Sequence, residues 1–348
     1  MRRTVYLILA ILLLCSHDLY VKMETYFLQP NKEATLSLYN GTFEKSENII
    51  TRDRMLDASI IANGKRIPID PNQWTDQDST ITQLTFNTGE AGTYVAGLST
   101  KARNIELSAE KFNGYLEHDG VLDVLEQRKR DSILDQDAVE SYQKHVKAIY
   151  QVGEIKTNDW GTVLGYPIEF VPQANPYDKY SGETLEVQLL LDGEPLANQL
   201  IYANHLEHGH NHDDHHGHVH EHEHDGKKHS HDHAHSDSEH DHSHESGKED
   251  TYTHTSGQQL RTNEQGVFEV SLSEDGVYYL RTIHMTTVTD SQELTHESKW
   301  ATLTFEVTHE HGSHTHTHDH DHDHNYFIWV FVLGSLLIIG LLFFFFKK

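Results

Sequence analysis

Leu185-Glu186-Val187-Gln188-Leu189-Leu190-Leu191, closed by Asp192-Gly193, is the stretch on which the fold turns. Apolar and polar residues alternate over 185–189, the period of a strand with one face on a core, and Asp-Gly is a hairpin turn pair. Residues 200–203 read as the next strand. The pattern then breaks and resumes only at Thr262-Asn263-Glu264-Gln265-Gly266-Val267-Phe268, after which Phe268, Val270 and Leu272 alternate and Gly276-Val277-Tyr278-Tyr279-Leu280 follows. A last strand begins at Trp300, with Ala301, Leu303, Phe305 and Val307 on one side. Short strands separated by Gly- and Asp-rich turns predict an immunoglobulin-like or prealbumin-like sandwich over 176–308. Residues 204–258 are an insertion in one of its loops.

Upstream, residues 17–175 predict a second β-rich domain. Thr35-Leu36-Ser37-Leu38-Tyr39 ends at the turn pair Asn40-Gly41, residues 79–86 are rich in Thr, Ile and Leu, and Gly92-Thr93-Tyr94-Val95-Ala96-Gly97 is a short strand between glycines. Val139, Tyr142, Val146, Ile149 and Tyr150 recur at three- and four-residue spacing, which predicts one helix over about 137–152. Asp137-x-x-Glu140 starts it like a capping box and Gly153 stops it. On that helix Lys144 and His145 fall on the solvated side. The expected class is therefore mainly β: two sandwich-like modules, one inserted helix, a disordered histidine-rich loop and a transmembrane helix at the C-terminal end.

The insertion carries the chemistry. From His205 to His244, 17 residues are histidine: His205, His208, His210, His212, His215, His216, His218, His220, His222, His224, His229, His231, His233, His235, His240, His242 and His244. Apolar residues are nearly absent, so the segment has nothing with which to build a core. His-x-His alternation sets imidazoles about 6 to 7 Å apart on one side of an extended chain, close enough for a bend to bring several onto one ion. The interleaved Asp, Glu, Gly and Ser add oxygen ligands and flexibility without fixed geometry. A second tract, His309, His311, His314, His316, His318, His320, His322 and His324, fills the membrane-proximal residues 309–325.

Composition narrows the partners. The 348 residues include 54 Asp plus Glu against 27 Lys plus Arg, a formal net charge of −27, which argues against nucleic-acid binding. The only cysteine, Cys15, lies in the leader, and Met23, Met55 and Met285 are the only methionines beyond it. The soft sulfur set for copper(I) is thus missing, while nickel, cobalt, zinc and copper(II) suit imidazole.

Both ends predict export and anchoring. Arg2 and Arg3, a short apolar core and Cys15-Ser16 make residues 1–16 a signal peptide cut after Ser16. Leu12-Leu13-Leu14-Cys15 also resembles a lipoprotein signal. Residues 326–346 are apolar and uncharged, long enough to span about 30 Å of hydrocarbon. Tyr326 and Trp329 mark an interface, and Lys347-Lys348 place a two-residue tail in the cytoplasm. The ectodomain then lies in the periplasm or outside the cell.

Several stretches resemble a family of exported proteins known mainly as the periplasmic component of cobalt and nickel ABC-type transport systems, otherwise labelled a domain of unknown function. They are His17-Asp18-Leu19-Tyr20, Lys111-Phe112-Asn113-Gly114-Tyr115-Leu116, Ser141-Tyr142-Gln143-Lys144-His145-Val146-Lys147, Gly165-Tyr166-Pro167-Ile168-Glu169-Phe170-Val171-Pro172, Asn175-Pro176-Tyr177 and Asp192-Gly193-Glu194-Pro195-Leu196. Their order and spacing, rather than any one motif, carry the likeness, which covers most of residues 17–307. It implies two β-rich modules working in transition-metal uptake with a cobalt or nickel permease as partner. Members often begin with histidine after signal cleavage, as His17 does here, where an α-amine and an imidazole can chelate a metal together.

The function expected is extracytoplasmic capture of nickel, cobalt or zinc and delivery to a membrane importer. An envelope metal buffer or sensor and an adhesive or scaffolding sandwich are the alternatives. An enzyme is not expected: a copper site using His17 needs a second fixed histidine, and His118, His145, His284 and His296 stand in no recognisable motif.

Overall fold

A computed structural model of the protein describes residues 17–207 and 255–309. The chain lays down β1 (Asp18–Lys22), β2 (Phe27–Leu28), β3 (Glu33–Gly41), β4 (Ser46–Asn48), β5 (Met55–Ala62), β6 (Lys65–Pro68), β7 (Thr75–Gln77), β8 (Ile81–Asn87), β9 (Gly92–Thr100) and β10 (Arg103–Leu107). Helices α1 (Ala109–His118) and α2 (Leu122–Arg130) follow, and then the long strand β11 (Ala138–Val152). The second half supplies β12 (Ile168–Pro172), β13 (Glu183–Leu191), β14 (Glu194–Pro195), β15 (Leu200–Leu206), β16 (Gln258–Arg261), β17 (Val267–Leu272), β18 (Gly276–Thr287) and β19 (His296–Val307).

The protein is mainly β, as the alternation predicts. A ten-stranded sheet runs β16-β15-β18-β19-β11-β9-β5-β6, with β10 and β2 also on β11, and a five-stranded and a four-stranded sheet complete the layers. The described residues all fall in one compact unit ending at His309. The division expected near residue 175 runs inside this unit, because both halves contribute strands to the ten-stranded sheet. They meet where β11 pairs in parallel with β19, Glu140 opposite His296 through Ala148 opposite Thr304.

The helix expected over about 137–152 is instead the strand β11. From Lys144 to Val152 every residue of β11 is buried, on both faces, so the period-two signal of a half-exposed strand is absent and the apolar spacing imitates a helix. Its polar residues are buried too: Lys147 pairs with Glu169, whose carboxylate also accepts from the backbone N–H of Leu164 and Gly165 at 2.9 and 2.8 Å. His145, expected on a solvated surface, is 1 % exposed and shares a 2.9 Å hydrogen bond with Ser99. Asp137 does cap a helix, but the other one: its carboxylate accepts from the N–H of Ala109 at the start of α1, at 2.8 Å. Phe112, Tyr115 and Leu116 of α1 pack with Ile283, Met285 and Trp300 at one end of the large sheet.

The insertion's edges also shift. β15 continues through His205 to Leu206, and Gln258 already pairs with Ala203, so strand pairing takes in both margins of the expected 204–258 segment. Among the described residues no helix is long and apolar enough to cross a membrane. The expected leader at 1–16, the tract histidines at 208–244 and 311–324, the expected span at 326–346 and the expected tail lie outside the described residues.

Candidate metal centre

Three neighbouring strand ends build the corner from which both histidine tracts leave. In the large sheet Leu206 on β15 lies opposite Val277 on β18, and Val277 lies opposite Glu306 on β19. At about 4.8 Å per strand, the exit of the first tract after β15 and that of the second after β19 are roughly 10 Å apart. The chain returns beside its own exit, since Asn204 Nδ2 donates to Ser256 Oγ at 3.1 Å.

Between these exits lies the turn from β17 to β18, Ser273-Glu274-Asp275. Tyr278 pins it: the hydroxyl accepts from the N–H of Glu274 at 3.1 Å and donates to its carbonyl at 2.8 Å. The fully buried ring of Tyr278 stacks on Phe305 in the core at 5.8 Å and on the imidazole of His205 at 5.1 Å. Gly276 lets β15 come this close. Its φ is +145°, and a Cβ there would lie 2.2 Å from the carbonyl oxygen of Leu206.

The ligand-type side chains at this corner form two groups. His205, Glu207 and Glu274 bring one potential ligand atom each to within 4.8 Å of one another, and His205 Nε2 stands 3.6 Å from Glu274 Oε2. Asp275 turns the other way, accepting from Ser181 Oγ at 2.6 Å and contacting His309 Nδ1. Burial opposes ionisation of Asp275, but the hydrogen bonds from Ser181 and His309 outweigh it and hold the carboxyl below its ordinary range. Imidazole with two carboxylates suits a borderline divalent ion such as zinc, cobalt or nickel.

Of the histidines singled out by sequence, His205 and His309 thus reach one corner, each beside a carboxylate of the same turn. His17 lies elsewhere. Its Nε2 is 3.4 Å from Glu47 Oε2, its carbonyl accepts from Lys144 Nζ, and it borders a cavity of about 430 Å³ with Asn40, Arg103, Glu140 and Lys144. The remaining four are held separately: His118 by Asp119, His145 by Ser99, His284 by Gln199 and His296 by Thr295. Burial lowers the His145 and His296 imidazoles to about 4, so both stay neutral at pH 7. Sequence reading missed Glu207, Glu274 and Asp275. Ser273-Glu274-Asp275-Gly276 reads only as a polar turn, and its position between two tracts depends on strand order.

No curated protein matches the chain. Among solved structures, a DUF4785 family protein from Legionella pneumophila is 8 % identical with a TM-score of 0.18, over 53 % of this chain and 37 % of that one. The chain therefore spans well under half the length of that protein. The D0-D1 domain of Intimin is 9 % identical with a TM-score of 0.17, over 84 % of this chain and 97 % of that one. The ectodomain of mouse nectin-like molecule 4 is 8 % identical with a TM-score of 0.17, over 85 % and 66 %. Residues 14–229, well over half of the chain and including β15 with His205, match a family described as a domain of unknown function, and the chain belongs to that family, DUF4198.

Proposed function

We propose that this protein binds divalent transition-metal ions, nickel, cobalt or zinc, outside the cytoplasm and passes them to a membrane importer, with no covalent step. The observation that supports this most is the convergence of the two tract roots, His205 and His309, on the single turn Glu274-Asp275. Ions gathered along a tract of 17 histidines and ions held along a tract of eight then share one corner. The dense, loosely organised ligands favour many overlapping sites with fast exchange, which suits collection and transfer better than catalysis. Residues 326–346 hold the second tract at the bilayer surface in this reading, where the local ion concentration at an importer's mouth is set by tethering.

Ligation needs neutral imidazole, whose ordinary pKa is about 6.5, so protons compete with the metal as pH falls. The full chain in detergent is expected to bind several equivalents of nickel or zinc at pH 7.5 and to release most of them near pH 5. A calorimetric stoichiometry below two, or binding unchanged at pH 5, overturns the reading. Replacing the histidines of 309–324 with serine is expected to lower cellular metal uptake when metal is scarce. Uptake that is unchanged, with poorer survival in excess metal, assigns the protein to buffering instead of delivery.

A further inference from the structure

We infer that His205, Glu207 and Glu274 form a fixed divalent-cation site that exists only in the folded chain and differs in kind from the tract sites. The inference rests on the proposed function only for the choice of ion. Tract ligands are neighbours in sequence and remain neighbours however the chain is arranged. Glu274, in contrast, is brought to His205 and Glu207 by the pairing of β15 with β18.

The geometry is close to what an ion requires. Zinc bonds of about 2.0 to 2.2 Å in a tetrahedron put ligand atoms about 3.3 Å apart. His205 Nε2 and Glu274 Oε2 are already at 3.6 Å, and the third ligand atom lies within 4.8 Å of both. The remaining closure falls to Glu207 and Glu274, whose exposed side chains are free to rotate. The imidazole is the part that cannot move far, because its ring stacks on Tyr278. The same Tyr278 grips both backbone polar groups of Glu274, so one buried side chain orients two of the three ligands. A lone ion pair between His205 and Glu274 would leave Glu207 without a part in the group. Three ligands leave coordination positions open for water or a passing ligand, which suits a site that exchanges ions with the tracts rather than sequestering them.

A ligand that binds the folded chain alone raises its stability, whereas one that binds folded and unfolded chain alike does not. Zinc(II) at pH 7.5 is therefore expected to raise the melting temperature of the full chain in detergent, and Glu274→Gln is expected to remove most of that rise while lowering total bound zinc by about one equivalent. Glu207→Gln, at an exposed residue beyond the end of β15, is expected to do the same without disturbing any packed side chain. Equal metal-dependent rises in wild type and both variants overturn the inference. Many bound equivalents with no rise in the wild type also overturn it while leaving the tract reading intact, and no binding at all overturns both.

Discussion

Glu140 and Lys144 lie four residues apart on β11, facing the cavity that His17 borders. Burial pushes the Glu140 carboxyl up to about 7, although Ser298 and Tyr115 donate hydrogen bonds to it, and burial pushes Lys144 down to about 8. Each shift favours the neutral form in the folded chain. For Glu140 the stabilisation is complete below the ordinary glutamate value of 4.5 and is lost as pH rises toward 7. For Lys144 the folded chain holds fewer protons than the unfolded chain between about 8 and 10.5, so stability recovers with rising pH in that window. The pair therefore places a stability minimum between about 7 and 8. Glutamine in place of Glu140 can still accept from Ser298 and Tyr115 but never ionises. Glu140→Gln is expected to match wild type in melting temperature at pH 4.5 and to melt higher at pH 7.5, where its unfolding free energy gains on the order of 3 kcal/mol for a shift of this size. Equal melting temperatures at both pH values count against the assignment.

At the scale of elements, β15 and β16 make a hairpin whose loop carries the first tract. Ala203 pairs with Gln258, and Asn204 and Ser256 are hydrogen bonded beyond it, so residues 207 and 255 can be joined directly. Deleting 208–254 is expected to leave the metal-free fold intact and to raise its stability by up to about 2 kcal/mol, because a shorter loop costs less entropy to close. A fall in melting temperature would show that the tract packs on the fold. The sequence made β15, β17 and the insertion between them legible, since Leu200-Ile201-Tyr202-Ala203 and the alternating Phe268, Val270 and Leu272 flank a segment with almost no apolar residues, but the short, half-exposed β16 carries too few apolar residues to stand out. It concealed β11 for a physical reason. A strand covered on both faces has no polar side to alternate with: Lys144 and His145, which read as surface residues, are buried beside their hydrogen-bonding partners, as is Lys147.

Across the whole molecule, what sequence could not reveal is non-local pairing. The density of histidine is plain in the residue order, but the shared corner depends on Leu206, Val277 and Glu306 lying side by side across three strands. The same is true of the joint between β11 and β19, which merges the two expected modules into one sheet. That last strand also receives the first: Thr302 and Thr304 donate to the carbonyls of Leu19 and Val21, and Glu306 accepts from the N–H of Tyr26. Among the described residues, the keystone of the sheet is thus the strand synthesised last. As the chain is synthesised, β11 and the amino-terminal strands emerge with their central partner still missing, and contacts of such long sequence separation slow folding. A chain ending at residue 290 is expected to be digested throughout by a protease that leaves a chain ending at residue 309 as resistant fragments cut only within the 208–254 insertion. Survival of a resistant core in the shorter chain would mean that the amino-terminal strands close without β19. The fold otherwise stays open along its centre until β19 is available, a vulnerable interval in which chaperones would find their substrate.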